Sequence, residues 1–550
     1  MSPKKHLLLI LALAASFRLL WLTKSPPALN WDEVSIGYNA YSILKTGRDE
    51  WGKFLPLSFK AYGEHKLPGM IYASIPAVAI FGASDLGVRI TPAVIGIITV
   101  LAFYVLLRDL ISPRLGFFGA LLLAVSPWHV HFTRASYEAS LALLFLILSV
   151  WQYHLSRSKP SKLLASAAFA TFSMYTYNAA RIVAPLLYLV FFYLDRKYLR
   201  KQPKIFFLSL FLSAILLLPS IVVSSKENAF VRWEALSIMK NEGFIQAIGE
   251  SRRYTPLPDP LPRLIHNKYT HLAHRIFLDY LKTFSTEFLF FKGSGNTQRS
   301  VQGMGLLYLF EIPLLALGIL RLSKPKYRTL QRILVPWLLI GAVPSAITVE
   351  SPSALRAVLM LPPLLSTSAL GLEHADRLAR QAKNKLIPFL SLLFGVWNIL
   401  YFAYRLWGVY PIKYSSDWQF GYKEAISEIM KYESAAEGVY LTSDYGEPYM
   451  YLLFYGKVDP RRYQDHANVD RTTDPLGWVH VLRFDKYHFV DFEGTEVAKS
   501  IVRDNSNDIL LVTGFAQMPG NYPRKFEIKT PSWQVMFEGS LVSPDLFKDD

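Results

Sequence analysis

Apolar residues in this chain gather into long runs divided by short polar stretches. Runs at about 6–22, 86–107, 115–128, 137–155, 161–176, 181–194, 205–224, 304–321, 330–348, 354–372 and 385–407 have the length and uniform apolarity of helices that cross a bilayer core. They predict eleven spans. Pro68 to Gly82 is equally apolar but short, with Pro68 and Pro76 inside it. It reads as a re-entrant or interfacial helix, because backbone at that depth needs protein or a wet cavity around it. Two long polar regions interrupt the pattern. One, Ser225 to Gly303, carries Pro256, Pro258, Pro260 and Pro262, then a helical stretch from His271 to Phe291. The other is the tail from Gly408 to Asp550. There helical patterns (Phe420–Tyr432, Glu447–Tyr455, Glu496–Arg503) alternate with strand patterns (GVYLTS, YHFVDF, DILLVTG), and KFEIKTPSWQVMFEGSLV reads as a hairpin. The expected fold is a polytopic α-helical membrane protein with a small C-terminal α/β domain. Residues 1–407 form the membrane domain, with outer loops 23–85 and 225–303, and residues 408–550 form the tail domain.

Composition agrees with this pattern. The 550 residues are 52% hydrophobic and only 18% charged, against about 25% charged in a soluble domain. The net charge of +17 gains meaning from its distribution. With the N-terminus inside, Arg196, Lys197, Arg200, Lys201 and Lys204 share one inner loop, and Arg321, Lys324, Lys326, Arg328 and Arg332 share another. The short outer loops carry one basic residue each. Basic residues concentrate in cytoplasmic loops, so the N-terminus is expected in the cytoplasm and the tail outside, in a multi-pass protein of the plasma membrane. The run after Lys4 and Lys5 has no small-x-small cleavage site before Asn30, and reads as a retained first span. The chain has no cysteine. Disulfides, thiolate catalysis and cysteine metal sites are excluded. No basic patch on a soluble domain suggests a nucleic-acid partner.

Candidate chemistry concentrates between Leu29 and Tyr72. Asp32-Glu33 and Asp49-Glu50 are acidic pairs, and Glu64-His65-Lys66 precedes Pro68. Asp32 and Glu33 can be read as an acidic N-cap on the helical pattern VSIGYNAYSILKTG, or as carboxylates at the rim of a cavity. Lys66 can be an interfacial anchor or a phosphate contact, a task that suits a compact ammonium. Arg18 lies in the outer third of the first run. It either snorkels to the interface or belongs to a site, as arginines inside membranes do. In SPWHVHFTRASYEAS, Arg134 and Glu138 are four apart and share a face if helical. His129 and His131 resemble a metal pair, but the sequence places no third ligand. Arg181, Arg299 and Arg356 are basic residues on the side where few are expected, and suit an anionic ligand such as a lipid phosphate.

Several segments together resemble the GT-C glycosyltransferases, in particular the bacterial relatives of protein O-mannosyltransferases and lipid A aminoarabinose transferases. They are Arg18, WDEVSIGYNAYSI, EHKLPGMIYASIPAVAIFG, FGASDLGVRITPAVIG, SPWHVHFTRASYEASLA, MYTYNAARIVAPLL and ALRAVLMLPPLLSTSALGL. The resemblance covers about residues 1–407. It implies that Asp32 is the essential aspartate of the first outer loop, acting on the acceptor as base or holding a divalent cation. It implies that Lys66 contacts the donor phosphate. The aminoarabinose transferases place a glutamate directly before that lysine, whereas here His65 separates Glu64 from it. Glu138 is the nearest match to a second acidic residue in the next outer loop. The implied reaction moves a sugar from a polyprenyl-phosphate donor to a hydroxyl of a protein, lipid or glycan at the outer face, with inversion. The competing class is a transporter or flippase of lipid-linked sugars. That class usually shows mid-membrane ionisable residues and a two-fold repeat, and the sequence has neither.

Overall fold

The computed structural model describes residues 3–226, 242–475 and 477–544. Residues 227–241 of the Ser225–Gly303 loop lie outside the described residues. Helices occupy each predicted apolar run, beginning with α1 (Pro3–Leu19). Among the described residues six helical stretches are long and apolar enough to cross a membrane: Asp85–Leu110, Glu138–Ser156, Pro203–Ser225, Pro325–Ala346, Ala354–Gln381 and Leu386–Lys413. Pro68–Phe81, Pro113–Val125 and Ala180–Leu194 are apolar but shorter.

The chain forms two compact units. One comprises Met1–Leu20, Pro92–Thr133 and Tyr137–Arg405. It is helical, and its helices meet through small residues. Helix Glu311–Leu322 packs on Leu361–Gln381 at Gly318 and Gly371. A Cβ at Gly318 would sit 2.0 Å from the Thr367 carbonyl oxygen, and one at Gly371 would sit 1.9 Å from that of Leu314. Backbones this close require glycine, as in membrane helix pairs generally.

The other unit comprises Trp21–Thr91, Arg134–Ser136 and Leu406–Asp550. It therefore joins the first polar loop to the tail. Its loop part holds α2 (Trp31–Thr46), the hairpin β1 (Phe59–Ala61) and β2 (Glu64–Lys66), α3 (Pro68–Phe81) and the start of α4 (Asp85–Leu110). A capping box starts α2: the Asn30 side chain accepts from the Glu33 N–H at 2.9 Å, and the Asn30 N–H donates to Glu33 Oε2 at 3.3 Å. Gly47, at φ 69°, ends it in the left-handed conformation. With 14 residues α3 is about 21 Å long, short of a hydrocarbon core of about 30 Å. It packs against α2.

The tail part carries a seven-stranded sheet. Its strands are β3 (Gly438–Thr442), β4 (Val469–Thr473), β5 (Val479–Phe484), β6 (Tyr487–Val490), β7 (Ile509–Thr513), β8 (Arg524–Lys529) and β9 (Val535–Val542), in the order β4-β5-β6-β3-β7-β9-β8. β3 is parallel to β6 and β7, and the other pairs are antiparallel. Fully buried Val439, Leu510 and Val512 share a core with helices Tyr422–Tyr432 and Pro448–Tyr455, the second of which packs on α2. One apolar core thus includes Leu29, Val34 and Tyr38 from the loop with Tyr449, Met450 and Phe454 from the tail.

Candidate active site

The hairpin sets the register of the site. Ala61 pairs with Glu64, Lys60 with His65, and Phe59 with Lys66, across the two-residue turn Tyr62-Gly63. Side chains alternate along a strand, so Glu64 and Lys66 share one face and His65 takes the other. There His65 Nδ1 meets Ser58 Oγ at 3.2 Å. The Tyr62 hydroxyl donates to the Trp31 carbonyl at 2.9 Å and ties the hairpin to the first turn of α2. As a result the Lys66 ammonium, its side chain 3% exposed, pairs with Asp32 and lies 3.4 Å from Glu64 Oε1. The Asp32 side chain keeps 46% of its surface exposed. The site presents a half-exposed carboxylate, Asp32, and a less exposed one, Glu64 at 24%, on a buried ammonium.

Glu33, next in sequence, points inward and is 2% exposed. Its Oε1 accepts from Arg89 Nε at 3.0 Å and from the Ser136 N–H at 3.1 Å, while its Oε2 accepts from Arg89 Nη2 at 2.9 Å. Arg89 is fully buried and also donates to the carbonyls of Leu22 (3.3 Å), Pro26 (2.6 Å) and Ala28. Two parallel guanidinium bonds to one carboxylate fix distance and plane together. Asn30 caps the helix, so Asp32 at the second helical position is free of that task. Sequence reasoning did not single out Arg89. Its signal was an arginine opening an otherwise apolar span.

Asp49 and Glu50 follow α2. Asp49 Oδ1 accepts from the N–H groups of Trp51 (3.0 Å) and Lys53 (2.8 Å) and shapes the turn. Glu50 is 1% exposed; its N–H donates to Asn39 Oδ1 at 3.1 Å and its Oε1 accepts from Asn39 Nδ2 at 3.4 Å. Burial, then the charge of Asp49, push the Glu50 carboxyl up to about 8, against smaller opposing effects of Asn39, Arg471 and Lys66. The tail completes the frame. Gln419 Oε1 accepts from the Trp31 N–H at 3.1 Å, and Gln464 Nε2 donates to Ser42 Oγ, Thr46 Oγ1 and the Asp49 carbonyl at 3.0, 3.1 and 2.9 Å.

The candidate arginines divide between the units. Arg134 lies with the loop; it is fully buried and donates to the carbonyls of Ser25 (2.8 Å) and Trp21 (2.9 Å). Arg18, Arg181, Arg356 and Glu138 belong to the helical unit. Arg18 is fully buried and donates to the carbonyls of Ala14, Ala124 and Leu123 and to His129 Nδ1. Arg181 donates to the Met174 carbonyl at 3.2 Å and to Ser220 Oγ at 2.9 Å. Arg356 bonds Thr348 Oγ1 at 3.1 Å and lies 3.7 Å from Glu350 Oε2, and Glu350 also pairs with Arg299. Glu138 opens helix Glu138–Ser156, where its charge favours the helix N-terminus. His131 Nε2 lies 2.7 Å from the Gln298 carbonyl oxygen. Around Asp32 and Glu64 the donor set does not suit a divalent cation, since an ammonium bonds both carboxylates. Among the described residues no three His, Asp or Glu side chains gather as metal ligands.

Three comparisons bear on this arrangement. Residues 68–222 match the family described as dolichyl-phosphate-mannose-protein mannosyltransferase, a match that begins just after Lys66. Among solved structures, ArnT from Cupriavidus metallidurans bound to undecaprenyl phosphate is similar over 98% of this chain and 98% of that one, at 11% identity and a TM-score of 0.55. The archaeal oligosaccharyltransferase AglB from Archaeoglobus fulgidus, in complex with an inhibitory peptide and a dolichol-phosphate, is similar over 92% of this chain and 69% of that one, at 14% identity and a TM-score of 0.49. No curated protein sequence matches the chain. The chain has the GT-C fold and is an integral membrane protein.

Proposed function

We propose that this chain transfers a sugar from a polyprenyl-phosphate donor to an acceptor hydroxyl at the outer face of the membrane, with Asp32 as base and Lys66 as phosphate contact. The observation that carries the reading is the pairing of a buried Lys66 with a half-exposed Asp32. A donor phosphate competes with Asp32 for the ammonium. Once the phosphate holds Lys66, the released carboxylate can take the acceptor proton. The acceptor oxygen then bonds the anomeric carbon, the bond from that carbon to the phosphate oxygen breaks, and the lipid phosphate leaves with the electron pair. Attack opposite the leaving group inverts the centre. Phosphate is an adequate leaving group, so positioning and charge stabilisation supply most of the rate. The family description names a lipid-phosphate sugar, and the ArnT structure holds a polyprenyl phosphate; both are consistent with this donor class. Glu33 is assigned to holding the loop through Arg89. Of the other candidates, Arg134 lies in the same unit as Lys66 and is retained as a candidate donor contact. The acceptor class, whether protein, lipid or glycan, follows from assay.

The test incubates the full chain with labelled polyprenyl-phosphate sugars and measures released lipid phosphate. Asp32→Asn is expected to lower turnover by roughly 100-fold or more, the scale of a positioned proton acceptor, while donor still binds. Lys66→Ala is expected to weaken donor binding, with partial rescue by Lys66→Arg. Normal turnover in Asp32→Asn would remove this residue from the chemistry. Donor transport without release would favour the flippase class.

A further inference from the structure

We propose that a cleft where α3 hands over to α4 binds the headgroup phosphate of an anionic membrane phospholipid. The cleft has a volume of about 420 Å³, within the roughly 300–1,000 Å³ usual for small-ligand sites. Phe81, Asp85, Lys423, Ser427, Tyr455 and Lys457 are among the residues that line it. All belong to the unit that joins loop and tail.

Its place in the fold sets the depth. α4 begins at Asp85 and runs 26 residues as one of the six helices of span length among the described residues. A charged residue at the mouth of such a helix, followed by an apolar run, marks the boundary between headgroups and hydrocarbon. The cleft opens at that boundary.

Its charges fit an anion. Asp85 is the acidic residue in the lining, and both its oxygens are taken: Oδ2 by Lys423 Nζ at 2.6 Å and Oδ1 by the Tyr455 hydroxyl at 2.9 Å. Lys457 is exposed and makes no ion pair among the described residues. Two ammonium groups thus line a cleft whose one carboxylate has both oxygens engaged, and Ser427 lines it as well.

The rim fits a lipid rather than a soluble anion. Phe81 (43% exposed) and Met430 (36%) line the cleft with the lysines, and exposed Ile80 (74%) and Leu86 (36%) adjoin its lining residues Phe81 and Asp85 in sequence. A free phosphate would leave this apolar surface in water. Acyl chains below a headgroup would cover it while the phosphate meets the ammoniums. A lipid held here would also fix the end of α3, the helix that follows Lys66.

The experiment uses the full chain, purified and delipidated in a neutral detergent. Thermal unfolding is followed while phosphatidylglycerol, phosphatidylcholine or soluble glycerol phosphate is added. Phosphatidylglycerol is expected to raise the unfolding temperature, and the other two are expected to leave it unchanged. Lys457→Asn should weaken the phosphatidylglycerol response roughly 5-fold, one basic contact at a lipid surface. Asparagine tolerates the left-handed backbone at that position, φ 51°, so the variant removes charge without adding strain. Lys431→Gln, on the same helix as Lys423 but paired with Glu428, should respond as wild type. Equal responses to glycerol phosphate and phosphatidylglycerol would overturn the lipid assignment. An unchanged response in Lys457→Asn would overturn the site.

Discussion

At the scale of the residue, two adjacent carboxylates have opposite environments. Asp32 is half exposed beside an ammonium, and Glu33 is enclosed by Arg89, Asn30 and Ser136. Their variants should fail differently. Glu33→Gln leaves the Arg89 guanidinium buried without its counter-charge, which typically costs about 3–5 kcal/mol. A clear fall in thermal stability is expected, while Asp32→Asn, at a half-exposed position that leaves Lys66 its contact with Glu64, should lose much less. Equal stability of the two variants would sink the structural assignment of Glu33. Glu50 gives a pH prediction. Its carboxyl is raised from 4.5 to about 8 in the folded chain, so the folded state binds a proton that the unfolded state has released. Its contribution to stability is therefore complete below pH 4.5 and is lost as pH rises toward 8, at up to about 1.4 kcal/mol per pH unit. Glu50→Gln keeps the shape without the titration and should flatten that part of the stability profile. A wild-type profile that is flat between pH 5 and 8 would contradict this.

At the scale of the element, the hairpin β1-β2 matters through its turn. Gly63 lies against Trp478, and a Cβ there would come within 2.6 Å of the indole. The Val479 N–H also donates to the Tyr62 carbonyl at 3.4 Å. Gly63→Ala must push the indole or the hairpin aside, at a typical overpacking cost of about 1–3 kcal/mol. Because Glu64 and Lys66 follow directly, that shift should lower turnover as well as stability. Trp478→Ala in the same chain opens room for the new methyl group and should restore part of the turnover. Failure of the second change to help would separate the turn from the site. The same contact explains a glycine whose local sequence, AYGEH, gives no reason for it.

At the scale of the whole molecule, the proposed orientation has a direct test. The chain lacks cysteine, so introduced thiols report without background. Cysteine at exposed Ser532 in the tail should react with an impermeant reagent in intact cells, and cysteine at exposed Ser323 should not. The reverse pattern would mean that the basic loops face outward. The sequence by itself determined the long helices, since run length and apolarity are local properties that a bilayer selects directly. It also determined the alternation of strand and helix in the tail, and it drew attention to Asp32 and Lys66. Tertiary structure decided their partners. Lys66 meets Asp32 across 34 positions, Arg89 meets Glu33 across 56, and Gln419 meets Trp31 across 388. No local periodicity encodes such pairings. They arise because one apolar core, shared by the loop and the tail, closes around these residues and excludes water from all but one of their carboxylates. That core made Glu33 a brace, left Asp32 reachable, and put the tail in the same unit as the loop.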